Sequence, residues 1–257
     1  MVYNKGMKTS QHKGGGVDAI RQMGAILFVG AHPDDETFCC GGILAVAARN
    51  GQRVICVTAT HGEKGVQDET RWPASDIAAI RERELGAALV ELGVAEHRWL
   101  SYKDGECAQA GEDDAAHAIA AIIEHNHVDS VVTFGPDGLT GHSDHRAMSR
   151  WVDGAVHIST RKPHVFHIAQ PRETYEQALK AADKTLNMFF NVKRPQLVEA
   201  PHAAVYLHLD SDAVVRKYLA FKVMPSQMER ILAVIPPEQF GTAFGVEALV
   251  DATGERT

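Results

Sequence analysis

The stretch AILFVGAHPDDET, residues 25–37, contains the strand and the polar turn that decide the fold. Its first half is uninterrupted apolar sequence, which is typical of a strand buried on both faces of a sheet. Its second half places four ionisable side chains where that strand ends: His32, Asp34, Asp35 and Glu36. Pro33 favours a helix start, because a first helical turn does not need the N–H that proline lacks. The stretch therefore predicts a strand, a polar turn and a helix.

Outward from this stretch, short apolar runs alternate with helical patterns, which predicts βα units and a mostly parallel sheet. Further strands are predicted at residues 53–59, 97–100, 130–134, 165–168 and 204–209, and helices at residues 37–49, 75–92, 113–125, 145–157, 174–187 and 212–234. We expect an α/β, Rossmann-like, doubly wound sheet with the core order 3-2-1-4-5, flanked by helices. Residues 1–23 are expected to form a flexible N-terminal tail, and residues 24–257 a single domain.

The charge balance and the apolar pattern exclude several classes of protein. The 257 residues include 26 Lys and Arg against 33 Asp and Glu, and this net charge of −7 argues against nucleic acid or an anionic membrane as the main partner. No apolar run approaches a membrane span, and Gly14-Gly15-Gly16 stands where a secretion signal would need apolar residues. We expect a cytoplasmic protein with a small-molecule substrate. The sequence leaves open whether the chain forms a homo-oligomer.

A second polar stretch, GPDGLTGHSDHR at residues 135–146, follows the predicted fourth strand. Strands 1 and 4 are neighbours in the expected order, and ligands bind beyond their carboxyl ends. His32, Asp35 and His145 would therefore meet there. A catalytic zinc site needs about three protein ligands of these types and one open position for water.

Simpler explanations exist for each motif taken alone. The HPDD turn could be a helix N-terminus with Asp34 or Asp35 as its cap. The His-x-x-His pair could be solvated or core histidine, and Asp144 could cap the helix that begins near His145. Capping does not explain why both motifs fall at the two strand ends that meet, so the pair favours a metal site. For Glu36, the first-turn position favours a structural role.

With these motifs in place, the chain resembles the LmbE-like family of zinc N-deacetylases, to which the PIG-L sugar deacetylases belong. Three further segments are similar to family motifs: the loop at residues 60–65, the pair Arg81 and Glu84, and the turn at residues 102–105. The resemblance covers about residues 25–148. It implies removal of an N-acyl group, most often acetyl, from a small amino sugar or its conjugate. Zn²⁺ is the implied metal, and Fe²⁺ or another divalent ion is also compatible with these ligands.

The resemblance and the chemistry of the side chains together suggest a role for each site residue. Asp34 is expected to act as general base, and His142 to donate a hydrogen bond to the oxyanion, with Asp144 orienting the His142 ring. Glu63, Arg81 and Asp104 are candidate substrate-binding residues. These three also have plainer explanations: Glu63 and Asp104 could be solvated loop carboxylates, and Arg81 could form a surface ion pair with Glu84.

The C-terminal third departs from the family pattern. Family members often have a His-x-x-Gln segment in a late helix, and this chain keeps Gln227 but has Met224 in place of the histidine. That departure suggests an altered pocket. Two alternative functions are also open. One is an amidase that cleaves a thiol-sugar conjugate or a non-sugar amide. The other, from a different class, is a non-catalytic protein that binds metal or carbohydrate.

Overall fold

The strand order of the sheet brings the ends of β1 and β4 side by side. The computed structural model describes residues 16–192 and 195–252. In that part of the chain one eight-stranded sheet has the order β3-β2-β1-β4-β5-β8-β7, and β6 pairs with β5. The strands are β1 Ile26–Gly30, β2 Val54–Thr60, β3 Glu96–Tyr102, β4 Ser130–Thr133, β5 His164–Pro171, β6 Leu197–Val198, β7 Val205–His208 and β8 Val246–Asp251. The predicted α/β fold with the core order 3-2-1-4-5 is confirmed.

Strands β1 to β5 run parallel, whereas β8 runs antiparallel to both β5 and β7. The α-helices are α1 Val17–Gln22, α2 Asp35–Arg49, α3 Ile77–Leu92, α4 Glu112–Asn126, α5 Ser143–Ile158, α6 Arg172–Thr174, α7 Lys180–Leu186, α8 Ser211–Lys222, α9 Pro225–Val234 and α10 Pro237–Phe244. A π-helical turn, Tyr175–Leu179, joins α6 to α7. Helices α2, α3 and α8 pack together, and α4 packs against α5.

Burial of the central strands explains their sequences. Every residue of β1 and β2 is buried, in keeping with their unbroken apolar runs, while the edge strand β3 is only half-buried. Gly30 ends β1 where a Cβ atom would lie 2.7 Å from the ring of Phe28 and 3.1 Å from the Cβ atom of Asp35. Glycine at this position therefore lets the turn after β1 fold back onto the end of the strand.

The structure differs from the predicted elements in three respects. Residues 17–22 of the expected tail form helix α1, and Ile20 is fully buried against the core; residues 1–15 of that tail lie outside the described residues. The helix predicted at residues 212–234 is two helices, because Pro225 lacks the N–H that would continue α8 and instead starts α9. Strands β6 and β8 were not predicted.

The described helices include none that combines the length and the apolar character needed to cross a bilayer.

Candidate metal centre

Three predicted metal ligands meet at the carboxyl end of the sheet. His32 follows β1, Asp35 begins α2, and His145 lies in the first turn of α5. His145 Nε2 lies 3.3 Å from His32 Nδ1 and 3.3 Å from Asp35 Oδ1, and His32 Nδ1 lies 3.8 Å from Asp35 Oδ2. All three side chains are buried or nearly so. Two segments more than 100 residues apart in sequence thus converge on one point.

Backbone groups and one aromatic ring hold these side chains in place. Asp35 Oδ2 accepts hydrogen bonds of 2.8 Å from the N–H groups of Ala31 and His32, so its other oxygen turns towards His145. His145 Nδ1 lies 3.0 Å from the carbonyl oxygen of Gly138, and its ring stacks on Phe134 at 3.9 Å between centroids. Because Nδ1 donates to that carbonyl, Nε2 of a neutral His145 is left without a proton and is available as a ligand.

Carboxylates surround the other side of His32. Its Nε2 atom lies 3.2 Å from Asp104 Oδ1 and 3.5 Å from Asp144 Oδ2. Burial lowers the pKa of His32, but the Asp104 and Asp144 carboxylates and the charge of Asp35 outweigh this effect and raise that pKa to about 10. The cluster therefore favours a positive charge at this position, which a proton or a bound cation can supply.

The neighbouring aspartates respond to the same charges. Burial raises the pKa of Asp35, but the nearby His145 and His32 hold it well below its usual range. For Asp104, burial is likewise outweighed by His32, and its pKa falls to about 2. Both carboxylates are therefore ionised at neutral pH, as metal binding or support of a ligand histidine requires.

The predicted substrate-binding residues Asp104 and Glu63 have structural partners. Besides facing His32, Asp104 accepts a hydrogen bond of 2.8 Å from the N–H of Lys64. Glu63 Oε1 accepts one of 2.9 Å from the N–H of Asp104. Glu63 is not among the residues that line the cavity over the cluster, and its contact with substrate stays a prediction. Together the two carboxylates tie the loop after β2 to the loop after β3.

Arg81 lines that cavity, but its guanidinium is already engaged by the protein. It donates to the carbonyl oxygens of Pro33 at 2.7 Å and Gly62 at 3.0 Å, and to Asp34 Oδ2 at 3.0 Å. A Cβ atom at Gly62 or Gly65 would lie within 2.4 Å of this guanidinium, so both glycines make room for it. Arg81 therefore positions the HPDD turn, and its contact with substrate stays a prediction.

Asp34 lies in the same cavity in an unusual backbone conformation. Its φ of 137° lies in the region that L residues rarely adopt. Burial raises the pKa of Asp34 more than the charge of Arg81 lowers it, and the result is about 6. Glu36, which the sequence suggested is structural, is buried and binds the N–H of Asp34 and the hydroxyl of Thr37.

His142 is the N-cap of α5, and its hydrogen bond fixes the proton on the ring. Its Nδ1 atom accepts a bond of 3.2 Å from the N–H of Asp144. Burial and the nearby His32 and His145 lower the pKa of His142, which favours the neutral ring. Since Nδ1 is the acceptor, the proton of the neutral ring is on Nε2.

The Asp144 side chain has partners other than the expected one. Its Oδ2 atom accepts a hydrogen bond of 2.7 Å from the N–H of Gly105 and faces His32, as described above. Asp144 meets His142 through its backbone N–H. The predicted pairing of the Asp144 carboxylate with the His142 ring is therefore wrong, and the carboxylate instead supports His32.

A cavity of about 400 Å³ opens over the cluster. One part of its wall is apolar and consists of Phe38, Leu139, Leu186, Met188, Phe190, Met228 and Ile231. Polar side chains that the sequence did not single out also line it: Lys64, Gln67, Asn187 and Arg230. Gln227 lines the cavity too, whereas Met224 is fully buried in the core. Arg230 lies three residues after Gln227 on α9, and residues at this spacing share a helix face. This spacing could have identified Arg230 as a residue of the cavity wall.

The donor atoms fit a small divalent cation. Ligand atoms in a tetrahedral zinc site with bonds of about 2.0–2.1 Å lie about 3.3–3.4 Å apart, which is close to the separations among His32, Asp35 and His145. Two other groups of possible ligands also have donor atoms within 4.8 Å of one another: His32, His142 and His145, and His32, Asp104 and Asp144. The group formed by His32, Asp35 and His145 combines two imidazoles with one carboxylate, a set typical of catalytic zinc sites.

Comparison with known proteins places the chain in a family. A model of the PIG-L family, described as GlcNAc-PI de-N-acetylase, matches residues 27–156. The chain belongs to the PIG-L family. A 1D-myo-inositol 2-acetamido-2-deoxy-alpha-D-glucopyranoside deacetylase from Saccharomonospora viridis is 28% identical over 251 residues, which are 89% of this chain and 92% of that protein. The resemblance stated from the sequence motifs is confirmed.

Solved structures share the fold at low sequence identity. The N,N'-diacetylchitobiose deacetylase of Pyrococcus horikoshii has a TM-score of 0.61 at 21% identity, over 90% of this chain and 84% of that one. A 4-carboxy-2-hydroxymuconate hydratase from Pseudomonas putida has a TM-score of 0.60 at 18% identity, over 89% of this chain and 95% of that one. These two proteins share the fold but catalyse different reactions. The fold therefore does not determine the reaction of this chain, which must be argued from its site.

Proposed function

We propose that this PIG-L family member is a metal-dependent N-deacetylase, which hydrolyses the N-acetyl amide of a small amino-sugar conjugate. The observation that carries the proposal is the convergence of His32, Asp35 and His145, with donor atoms 3.3–3.8 Å apart, on the cavity that Asp34 and His142 also line. A non-catalytic binding protein would not need a second carboxylate and a hydrogen-bond donor beside the ligands.

His32, Asp35 and His145 would hold the metal, for which Zn²⁺ is the proposed ion. When bound there, the ion supplies Lewis-acid chemistry, making water acidic enough to lose a proton near neutral pH and polarising an acyl carbonyl. Asp104 and Asp144 would support His32 from behind through Nε2. Such outer partners orient a ligand histidine and increase its basicity.

Asp34 would act as general base. Arg81 holds Oδ2, so the other oxygen is left to take a proton from the attacking water. The same carboxyl would then return the proton to the departing amine. Its pKa of about 6, above the ordinary value for aspartate, brings the carboxyl closer to the pH at which the two transfers balance.

His142 would bind the oxygen that becomes negatively charged during the reaction. Its Nε2–H is the free donor of the neutral ring, since Nδ1 accepts from the N–H of Asp144. A donor that is already oriented stabilises the developing charge without further rearrangement. The cap of α5 therefore also fixes the direction of this donor.

Metal removal and a product assay test the proposal. The assay detects released primary amine from N-acetylglucosamine, N,N'-diacetylchitobiose and N-acetylglucosaminyl-inositol. We expect amine release that a chelator abolishes and added Zn²⁺ restores. His145→Ala should lose both bound metal and activity, since one of three ligands is gone. His157→Ala, an exposed histidine on the same helix, is the matched control and should keep both.

Other results would point to the alternatives. Stoichiometric metal with no hydrolysis of any N-acyl sugar would favour the non-catalytic binding protein. Preferred cleavage of a thiol-sugar conjugate would favour the amidase. Full activity in His145→Ala would contradict the ligand assignment itself.

A further inference from the structure

Helix α2, which carries Asp35, is broken one turn after it begins. Cys40 has φ −148° and ψ 26°, which are not helical angles. In an unbroken helix the N–H of Gly42 would donate to the carbonyl of Phe38, and the N–H of Ile43 to the carbonyl of Cys39. The break separates the first turn, residues 35–39, from the rest of α2. Both sides of the break lie in the interior, where unpaired backbone groups are costly.

A buried ion pair from two distant elements binds the backbone groups at the break. Glu247 on β8 accepts hydrogen bonds from the N–H groups of Gly42 at 2.8 Å and Ile43 at 2.6 Å. Lys217 on α8 donates to the carbonyl oxygen of Phe38 at 3.0 Å and to Glu247 Oε1 at 2.6 Å. The pair therefore supplies a partner to each end of the hydrogen bond that would otherwise join Phe38 to Gly42.

General stabilisation is a weak explanation for this pair. Lys217 is 1% exposed and Glu247 is 2% exposed, and removing two charges from water costs energy that their attraction does not reliably return. What the two charged groups provide is a set of directed hydrogen bonds that apolar side chains could not make. Gly42 serves the same packing, because a Cβ atom there would lie 2.3 Å from the side chain of Leu209.

We propose that Lys217 and Glu247 are positioning residues for the metal centre. They hold the broken α2 at one angle, and that angle aims the first turn, with Asp35 at its start and Asp34 just before it, at His145. The inference rests on the proposed function, because it assigns the pair a purpose in metal binding. Neither residue lies within the segment that matches the PIG-L family.

The test removes both charges together, so that neither is left buried alone. The double variant Lys217→Met/Glu247→Gln is compared with wild type for Zn²⁺ affinity, measured on metal-free protein by competition with a fluorescent chelator. We expect a 10- to 100-fold loss of affinity, the range found when outer partners of metal ligands are removed. With saturating Zn²⁺, kcat should fall while KM changes little.

The matched control is Ile123→Ala, which truncates a fully buried side chain on α4 and leaves α2 untouched. It should lower the thermal midpoint without changing Zn²⁺ affinity or kcat. If the double variant does not fold, Glu247→Gln alone is measured, and a smaller loss in the same direction is expected. Wild-type affinity and kcat in whichever variant folds would overturn this inference alone, whereas a wild-type protein that binds no metal would overturn it together with the proposed function.

Discussion

Asp34 shows how neighbouring side chains hold a single residue in a strained backbone conformation. A non-glycine residue at φ 137° is strained, at a cost of about 1–3 kcal/mol. Arg81 binds both the Asp34 side chain and the carbonyl of Pro33, and Glu36 binds the N–H of Asp34. These bonds hold the turn in the strained conformation, which directs the carboxylate into the cavity.

The general-base role predicts the effect of Asp34→Asn. The amide keeps the size of the side chain and its oxygen can still accept from Arg81, and asparagine tolerates positive φ. It cannot take a proton from water. We expect kcat to fall about 10²- to 10⁴-fold while metal content stays at the wild-type level, measured by the amine-release assay and by metal analysis.

Asp153→Asn is the control for this prediction, because Asp153 is exposed on α5 and is not among the residues that line the cavity. Its activity should match wild type. An Asp34→Asn enzyme with unchanged kcat would remove Asp34 from the mechanism. Loss of metal from Asp34→Asn would instead assign Asp34 to metal binding.

Site residues were predictable from sequence where they directly follow a strand. His32 and Asp35 come immediately after β1, and His145 follows β4 by one loop, so strand order alone brings them together. Asp104 was placed at the correct edge, but its contact with His32 was not predicted. Its contact with His32 depends on the path of the loop after β3, and a register shift between Thr58 and Thr60 alters that edge of the sheet. Local sequence does not encode such a path.

At the scale of elements, α3 connects two walls of the cavity. Arg81 holds the turn before α2, and Glu84, one turn further on, accepts hydrogen bonds from the N–H and hydroxyl of Ser226 at the start of α9. A carboxylate at a helix N-terminus binds N–H groups that have no partner within the helix. The sequence suggested a surface ion pair between Arg81 and Glu84. Their spacing shows that the two side chains are neighbours on a helix, but it does not show which other residues they contact.

Helix α4 is joined to the segment after α5 by a carboxylate, and this contact predicts a pH dependence. Glu124 Oε1 accepts hydrogen bonds from the hydroxyls of Ser159 and Thr160 and from the N–H groups of Thr160 and Arg161. Side-chain hydrogen bonds from Ser159 and Thr160 lower the pKa of Glu124 to about 2. The ionised form is therefore the one that the folded protein favours.

The sign of the effect follows from this lowered pKa. Glu124 stabilises the fold fully above its unfolded pKa of about 4.3, and the contribution is lost as the pH falls from there towards 2. We expect wild type to be more stable than Glu124→Gln at pH 7, and the difference to shrink below about pH 4.5. Urea unfolding of both proteins across this range measures it. A stability difference that is the same at pH 7 and pH 3 would contradict the assigned contact.

For the whole molecule, the order of β1 to β5 was predictable, whereas in the antiparallel part of the sheet only β7 was predicted, as a strand at residues 204–209. Strands β1 to β5 alternate with helices, so their order follows from the pattern of βα units. Strand β8 is the last element in the described part of the chain, yet it lies between β5 and β7 and runs antiparallel to both. No sequence motif indicated a role for Glu247 in this strand, and Glu247 reaches α2 only because β8 lies at that place in the sheet.

The N-terminal helix is the other place where tertiary contacts decide what sequence left undetermined. Gly14-Gly15-Gly16 and nearby lysines suggested a tail, but α1 packs on α2 and β7. Gln52 donates hydrogen bonds of 2.8 Å to the carbonyls of Ile20 and Gly24, which hold the end of this helix against the domain. Helix α1 has six residues and would not be stable in isolation, so its formation depends on these contacts.

Ile20→Ala tests whether α1 belongs to the cooperative unit of the domain. The side chain is fully buried, so truncation should lower the free energy of unfolding by about 2–5 kcal/mol, measured by urea denaturation. Arg21→Ala, one residue along and exposed, should change it by no more than about 0.5 kcal/mol. Equal stabilities of the two variants would mean that α1 detaches without unfolding the sheet. Gln52, which holds α1, follows the C-terminal end of α2, whereas Asp35 begins that helix. Ile20→Ala should therefore leave Zn²⁺ affinity unchanged under conditions where the protein is folded.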